Sequence, residues 1–342
     1  MNNILVYCEL NDTQVAGVSL ELLSEGRRLA DKLGVQLEAV ALGSGLQGVA
    51  AQVFPYGVDT LHLFDDVRLS PYTTQPHTAA LCKLVKENDY QIFLLGATVT
   101  GRDLAPRITA ELHCGLTADC TSLEIGDYED KKRGATVKNL LYQVRPAFGG
   151  NIVATIVNPY HRPQMATVRE GVMPLCKVRE EGFTGNVVEH NVADYVSDCD
   201  FVVSVIERHV QAPDNNLKHA PIVVAGGYGI GSKENFEMLF SLARLLHGEV
   251  GATRAAVDAG YATRDRQIGQ TGLTVRPKVY FACGISGQVQ HIAGMQESGI
   301  IISINSDPNA PINAIADYVV TGKAEEVIPR IITYYQQKNE LL

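Results

Sequence analysis

The sequence predicts an α/β chain in two parts: an N-terminal domain built on a parallel sheet over residues 1–206 and a smaller α/β domain over 221–342, joined by a polar linker at 207–220. Three observations carry that expectation. Short all-apolar runs alternate with stretches whose apolar residues recur at helical spacing. Such runs suit strands buried on both faces, as in a parallel sheet with helices on each side. In the C-terminal third, several of these runs end in glycine or small polar residues, which gathers ligand-type turns along one edge of one sheet.

Composition narrows the field. The chain has 342 residues, 46% hydrophobic and 20% charged, which is ordinary usage for a globular protein. The net charge of −9 and the lack of any basic stripe argue against nucleic acid. Seven cysteines include no C-x-x-C pair, so metal ligation is not expected and a reduced, cytoplasmic setting is. No apolar run reaches the length needed to insert in a membrane. The chain enters Ile4-Leu5-Val6-Tyr7-Cys8 almost at once, and no signal or transit segment is expected.

Taken in order, residues 4–10 read as a strand, and Val18, Leu22, Leu29 and Leu33 mark a helix stopped by Gly34. Strands follow at 35–42, 58–64 and 91–95, with a helix through Leu81, Leu84 and Val85 and another over 104–112. Between the last strand and that helix, Gly96 to Asp103 has the look of a nucleotide loop but lacks G-x-G-x-x-G, and a tight turn explains it as well. Residues 137–144 and 152–157 read as strands, with Lys131-Lys132-Arg133-Gly134 as an exposed hairpin tip. His113, Cys114 and His161 have no partner at metal spacing and are expected to be ordinary side chains. A final strand at 201–206 is expected to close the domain, and Pro213, Asp214, Asn215 and Asn216 give the linker its polar character.

The second domain opens with the strand Ile222-Val223-Val224-Ala225, the loop Gly226-Gly227-Tyr228-Gly229-Ile230-Gly231, and a helix with Ser232 as its N-cap. Strand, glycine loop and helix make a Rossmann-like outline, although G-x-G-x-G spacing is not the NAD fingerprint. Strands at 278–282, 300–304 and 318–320 end at Gly284-Ile285-Ser286-Gly287, Asn305-Ser306-Asp307 and Thr321-Gly322. A last helix presents Val327, Ile331 and Tyr335 on one face.

Four motifs then stand together: residues 253–260 (Thr253 to Gly260), 267–272 (Gln267-Ile268-Gly269-Gln270-Thr271-Gly272), 284–291 (Gly284 to His291) and 304–312 (Ile304 to Ile312). In order and spacing they resemble the alpha subunit of electron transfer flavoprotein, most strongly over residues 221–332. The resemblance implies a heterodimer with a beta subunit, and FAD held by the C-terminal domain. It implies that Gly227, Tyr228 and Gly229 approach the pyrophosphate, and that Thr253 and Arg254 lie by the ring and pyrophosphate. Gln267, Ile268, Gly269, Gln270 and Thr271 would approach the ring, with the Thr271 hydroxyl near N5. Ser286, Gly287, Gln288, Val289 and Gln290 would hold phosphate or ribityl oxygens from a helix start at Ser286 and Gly287. His291 would reach the O2 edge, and Asn305, Asp307, Gly322 and Lys323 would lie on the adenosine side. Arg254 and His291 would then put positive charge by the ring and raise its first reduction potential. Each has a plainer role open to it: Arg254 paired with Asp258, His291 packed under its helix.

Two departures bear on the type. Relatives often carry arginine where Tyr228 stands and an acid where Lys323 stands; tyrosine brings no charge and lysine cannot accept a ribose hydrogen bond. The expected partner is an acyl-CoA-type dehydrogenase. These departures tilt the expectation toward the bifurcating type, which draws on NADH and would use ferredoxin or flavodoxin as low-potential acceptor. The alternative is the ordinary carrier with one FAD and AMP in the beta subunit. More distant readings are an NAD-dependent dehydrogenase on the Gly226–Gly231 loop, or a module that senses adenine nucleotides.

Overall fold

The computed structural model describes residues 2–131, 133–147, 152–178, 185–208 and 216–339. It divides into two compact units: Met1–Ala147 with Val153–Arg208, and Phe148–Ile152 with His209–Leu342. Half of the polar segment read as a linker, residues 209–215, lies outside the described residues, as does Lys132 of the hairpin tip.

The first unit runs β1 Ile4–Tyr7, a small hairpin of β2 Leu10–Asn11 and β3 Gln14–Val15, α1 Gly17–Leu33, β4 Leu37–Gly43, α2 Val49–Val53, β5 Thr60–Asp65, α3 Thr74–Asn88, β6 Ile92–Gly96 and α4 Val99–Leu112. It continues with β7 Leu116–Cys120, β8 Ser122–Asp130, β9 Ala135–Ala147, β10 Ile152–Ile156, β11 Gln164–Val168, β12 Asn186–Glu189 and α5 Val192–Tyr195. Seven strands form one sheet in the order β12-β5-β4-β1-β6-β11-β7, with each pairing parallel. Side chains alternate across it. Ile4 and Val6 share a core with Leu22, Leu23 and Leu29 of α1, while Leu5 and Tyr7 share one with Leu81 of α3 and Leu104 of α4. That is why β1 reads as apolar at every position: both of its faces are covered. Strands β10, β9 and β8 form a separate sheet, with β8 and β9 antiparallel from Asp130↔Ala135.

Several elements escaped the sequence reading, and one was misread. Residues 201–206 form no strand; the edge position beside β5 is taken by β12, with Asn186 opposite Thr60. Strand β11 was missed because Gln164 and Thr167 interrupt its apolar run, yet both are buried. Gln164 is accommodated by its Oε1, which accepts from Leu141 N–H at 3.0 Å. The Gly96 to Asp103 loop is a capped turn: Thr98 Oγ1 accepts from Gly101 N–H at 3.0 Å, and Asp103 accepts from Tyr72 and Thr74.

The second unit runs β13 Ile222–Gly226, α6 Lys233–Leu245, β14 Glu249–Ala252, α7 Arg254–Asp258, β15 Val279–Cys283, α8 Val289–Ile292, β16 Ile300–Asn305, β17 Tyr318–Thr321 and α9 Ala324–Asn339. Its five parallel strands lie in the order β14-β13-β15-β16-β17. The chain first winds one way from β13 to β14, then the other way through β15, β16 and β17. The reversal leaves a crevice at the C-terminal ends of β13 and β15, where ligands of doubly wound sheets bind. Val224 packs with Phe236 and Leu239 of α6 and Ile328 of α9, whereas Val223 and Ala225 pack with Ile268, Ile285 and Ile312 on the opposite face.

Candidate functional site

A cleft of about 790 Å³ opens at that reversal point, within the size range of small-molecule and cofactor sites. Its walls come from the ends of four strands. After β13 come Gly227, Tyr228 and Gly229; after β14, Thr253 and Arg254; after β15, Gly284, Ser286, Gln288, Gln290 and His291; after β16, Asn305 and Asp307. The loop before β15 adds Gln267, Ile268, Gly269, Gln270 and Thr271, and Lys323 closes the far side. Three expected residues do not line it. Gly287, at φ +89°, lies against Ile312, where a Cβ would sit 2.2 Å from the backbone nitrogen. Val289 starts α8, and Gly322 donates its N–H to Asn305 O at 2.9 Å. These three brace the wall from behind.

Local chemistry explains the wall's shape. The glycine loop needs no side chain at Gly227, because a Cβ there would fall 2.1 Å from Gly284 O; this close approach lets Gly229 N–H reach the same carbonyl at 3.1 Å. Thr253 caps α7, its Oγ1 accepting from Ala256 N–H at 3.3 Å. Gln267 is buried and donates from Nε2 to Thr271 Oγ1 at 3.0 Å, which fixes the orientation of an otherwise exposed threonine. Asn305 is buried as well: Nδ2 donates to Ile285 O at 2.7 Å and Oδ1 accepts from Asp307 N–H at 3.0 Å. The loop at 267–273 is tied to α8 by Gln270 N–H donating to Gln290 O at 2.7 Å.

Two expectations need correction. The helix expected to open at Ser286 and Gly287 begins at Val289 with Gln288 as its N-cap, because Gly287 at positive φ cannot join it. His291 carries no positive charge: burial holds its imidazole down at about 4, against a small upward pull from the Ile268 carbonyl. Tyr228 is 63% exposed and stacks on Tyr261 with centroids 6.0 Å apart, so it offers an aromatic face where charge was absent. The plainer reading of Arg254 is met in part, since its Nε lies 3.4 Å from Asp258 Oδ2; both side chains are largely exposed and both line the cleft. Such a surface pair holds its partners loosely.

Asp258, Ser306 and Glu325 also line the cleft and were not among the expected site residues. The first two lie inside the quoted motifs, so position was the available signal. Glu325 sits in the first turn of α9 with no motif around it. It brings a carboxylate to the wall that Lys323 shares.

The residues present suit a phosphate-bearing cofactor. Among the described residues, the N–H groups of Ser286, Gln288 and Gln290 have no hydrogen-bond acceptor in the protein. A row of bare donors beside a glycine cradle is the arrangement that anions occupy. Among the described residues, no three metal-binding side chains converge, and no helix is long and apolar enough to cross a membrane.

Fold and cleft together define an α/β protein with a cofactor-sized cleft at a strand reversal. Two family models match the chain: "Electron transfer flavoprotein domain" over residues 4–195 and "Electron transfer flavoprotein FAD-binding domain" over residues 216–296. The chain belongs to the electron transfer flavoprotein family, on the side of the alpha subunits. It is 44% identical over 331 residues to the electron transfer flavoprotein subunit alpha of Thermoanaerobacterium thermosaccharolyticum, covering 96% of each chain. It is 46% identical over 330 residues to Protein FixB of Clostridium saccharobutylicum, covering 96% of this chain and 95% of that one. It is 39% identical over 352 residues to a protein of Anaerotignum propionicum named acryloyl-CoA reductase electron transfer subunit beta, covering 96% of this chain and 94% of that one. The family makes this a flavin-binding electron-transport subunit with a second, beta-type subunit as partner.

Proposed function

We propose that the chain binds FAD in the cleft, pairs with a beta subunit as a heterodimer, and relays electrons between NADH or other donors and an acyl-CoA-type dehydrogenase, as a member of the bifurcating type. The observation that carries the flavin reading is the set of backbone donors without a protein acceptor on Ser286, Gln288 and Gln290, residues that line the cleft along with the Gly227 loop. Ser286, Gln288 and Gln290 would hold pyrophosphate and ribityl oxygens. Arg254, Gln270, Thr271 and His291 would lie by the ring, and Asn305, Asp307 and Lys323 by the adenosine. Glu325 would supply the ribose acceptor that lysine cannot. Bound FAD supplies the one- and two-electron chemistry; the chain's own task is to orient it and set its electrostatics.

The acyl-CoA partner draws support from the name of the Anaerotignum propionicum relative, and the bifurcating type from Tyr228 and Lys323. Ferredoxin or flavodoxin would be the low-potential acceptor. The chain is to be co-purified with its beta subunit, FAD and AMP counted per heterodimer, and NADH added. Two FAD and bleaching of the flavin absorbance by NADH are the expected result. One FAD with AMP and no response to NADH would make it an ordinary carrier, and failure to retain FAD after reloading would end the flavin reading.

A further inference from the structure

His291 is the cleft residue whose geometry departs most from the role that the resemblance implies. Its ring is buried, and both nitrogens are occupied by the protein: Nδ1 lies 3.0 Å from Ile268 O and Nε2 lies 2.9 Å from the hydroxyl of Tyr280. A carbonyl oxygen only accepts, so Nδ1 carries the proton. Nε2 is then a bare acceptor in the neutral ring, and the Tyr280 O–H donates to it. Tyr280 is itself fully buried at the second position of β15, on the sheet face that carries Ile268, Ile285 and Ile312. A buried tyrosine needs a partner for its hydroxyl, and a buried imidazole needs one for each nitrogen. The pair meets both needs, and no water or charge is required.

The connection reaches further. His291 Nδ1 grips the carbonyl of Ile268, and one residue back Gln290 O accepts from Gln270 N–H at 2.7 Å. These bonds join the 267–271 loop to α8, the two walls that the ring-side residues come from. The titratable groups sharing the surroundings are Tyr280 and Cys283 on β15, both kept uncharged by burial, and Arg254 with Asp258 on the cleft wall, which face each other. Among the described residues, no carboxylate is hydrogen-bonded to His291.

We propose that Tyr280 is a positioning residue of the flavin site: its hydroxyl donates to Nε2 of the Nδ1–H imidazole that burial keeps uncharged and fixes His291 between the two walls, so that among the ring-side residues the positive charge comes from Arg254. The proposal rests on the FAD reading for its consequence, though not for the pairing itself.

The test uses the full chain in its heterodimer, labelled with ¹⁵N-histidine, with FAD bound and with FAD removed, from pH 5 to 8. The His291 signals are assigned by difference with His291→Asn. In the parent protein they are expected to show the Nδ1–H form throughout, with no titration. Tyr280→Phe is expected to leave the ring uncharged across that window, since an imidazolium would bury its Nε2–H without an acceptor, but to move the Nε2 resonance downfield as that nitrogen loses its donor. Titration of His291 in the parent protein, or a Tyr280→Phe variant with an unmoved Nε2 resonance, would overturn the proposal. Should the phenylalanine variant not fold, 3-fluorotyrosine at position 280 keeps the shape and strengthens the donor. It is expected to shift the Nε2 resonance in the opposite sense, and an unmoved resonance counts against Tyr280. If FAD does not load, the flavin reading falls, while the nitrogen signals of the flavin-free heterodimer still decide the Tyr280–His291 pairing.

Discussion

His77 and His291 stay neutral for the same reason in two different units. Each is buried, each donates from Nδ1 to a carbonyl, and burial holds each down at about 4. In the unfolded chain a histidine takes its proton near 6.5, so between that value and 4 the unfolded state binds more protons than the folded one. Stability is therefore full above pH 6.5 and falls as pH drops through the window, by on the order of 3 kcal/mol for each residue at its lower end. His77→Asn keeps a donor for the Thr73 carbonyl and removes the titration. Urea unfolding midpoints measured from pH 7.5 to 4.5 are expected to fall less steeply in that variant than in the parent. Glu38 acts in a lower window. Burial pushes its carboxyl up, but hydrogen bonds from His62, Tyr90 and Asn3 outweigh that and hold it below the usual range. Its contribution is present above the unfolded carboxyl's pKa and is lost as pH falls through the folded one.

At the scale of elements, the pattern of burial decided which strands could be seen. β1, β4 and β6 are buried at every position and read directly as apolar runs. β12 is exposed at three of its four positions, and nothing in its short run sets it apart from a loop. Residues 201–206 show the converse error. They have strand composition but join no sheet, since β propensity measures fit to a sheet surface more than an intrinsic preference. Caps were more legible, because they depend on one side chain and three residues of backbone. Ser232 was expected as the N-cap of α6, and its Oγ accepts from Asn235 N–H at 3.1 Å. Ser232→Ala is expected to cost about 1 kcal/mol, read as a lower urea midpoint when unfolding is followed by release of bound flavin. An unchanged midpoint would mean that water replaces the cap at no cost.

For the molecule as a whole, the cleft draws its walls from residues nearly 100 positions apart, from Gly227 to Glu325. Binding of FAD should therefore act on dispersed segments together. Amide hydrogen exchange with and without FAD is expected to slow at Ser286, Gln288 and Gln290, whose N–H groups have no protein acceptor, and to change little in β1 and β4 of the other unit. Unchanged exchange at those three amides would place the phosphates elsewhere. The sequence by itself determined the fold class, the parallel strands and the four motifs, because apolar periodicity and short glycine-bearing turns are local properties. It also determined the family, through the order of those motifs. The tertiary structure alone decided the strand order, and with it the reversal at β13 and β15 that opens the cleft. It alone brought Glu325 to the cleft and set Tyr280 against His291. Charge and tautomer depend on burial and on partners distant in sequence; no spacing of residues along the chain encodes the desolvation that keeps His291 neutral.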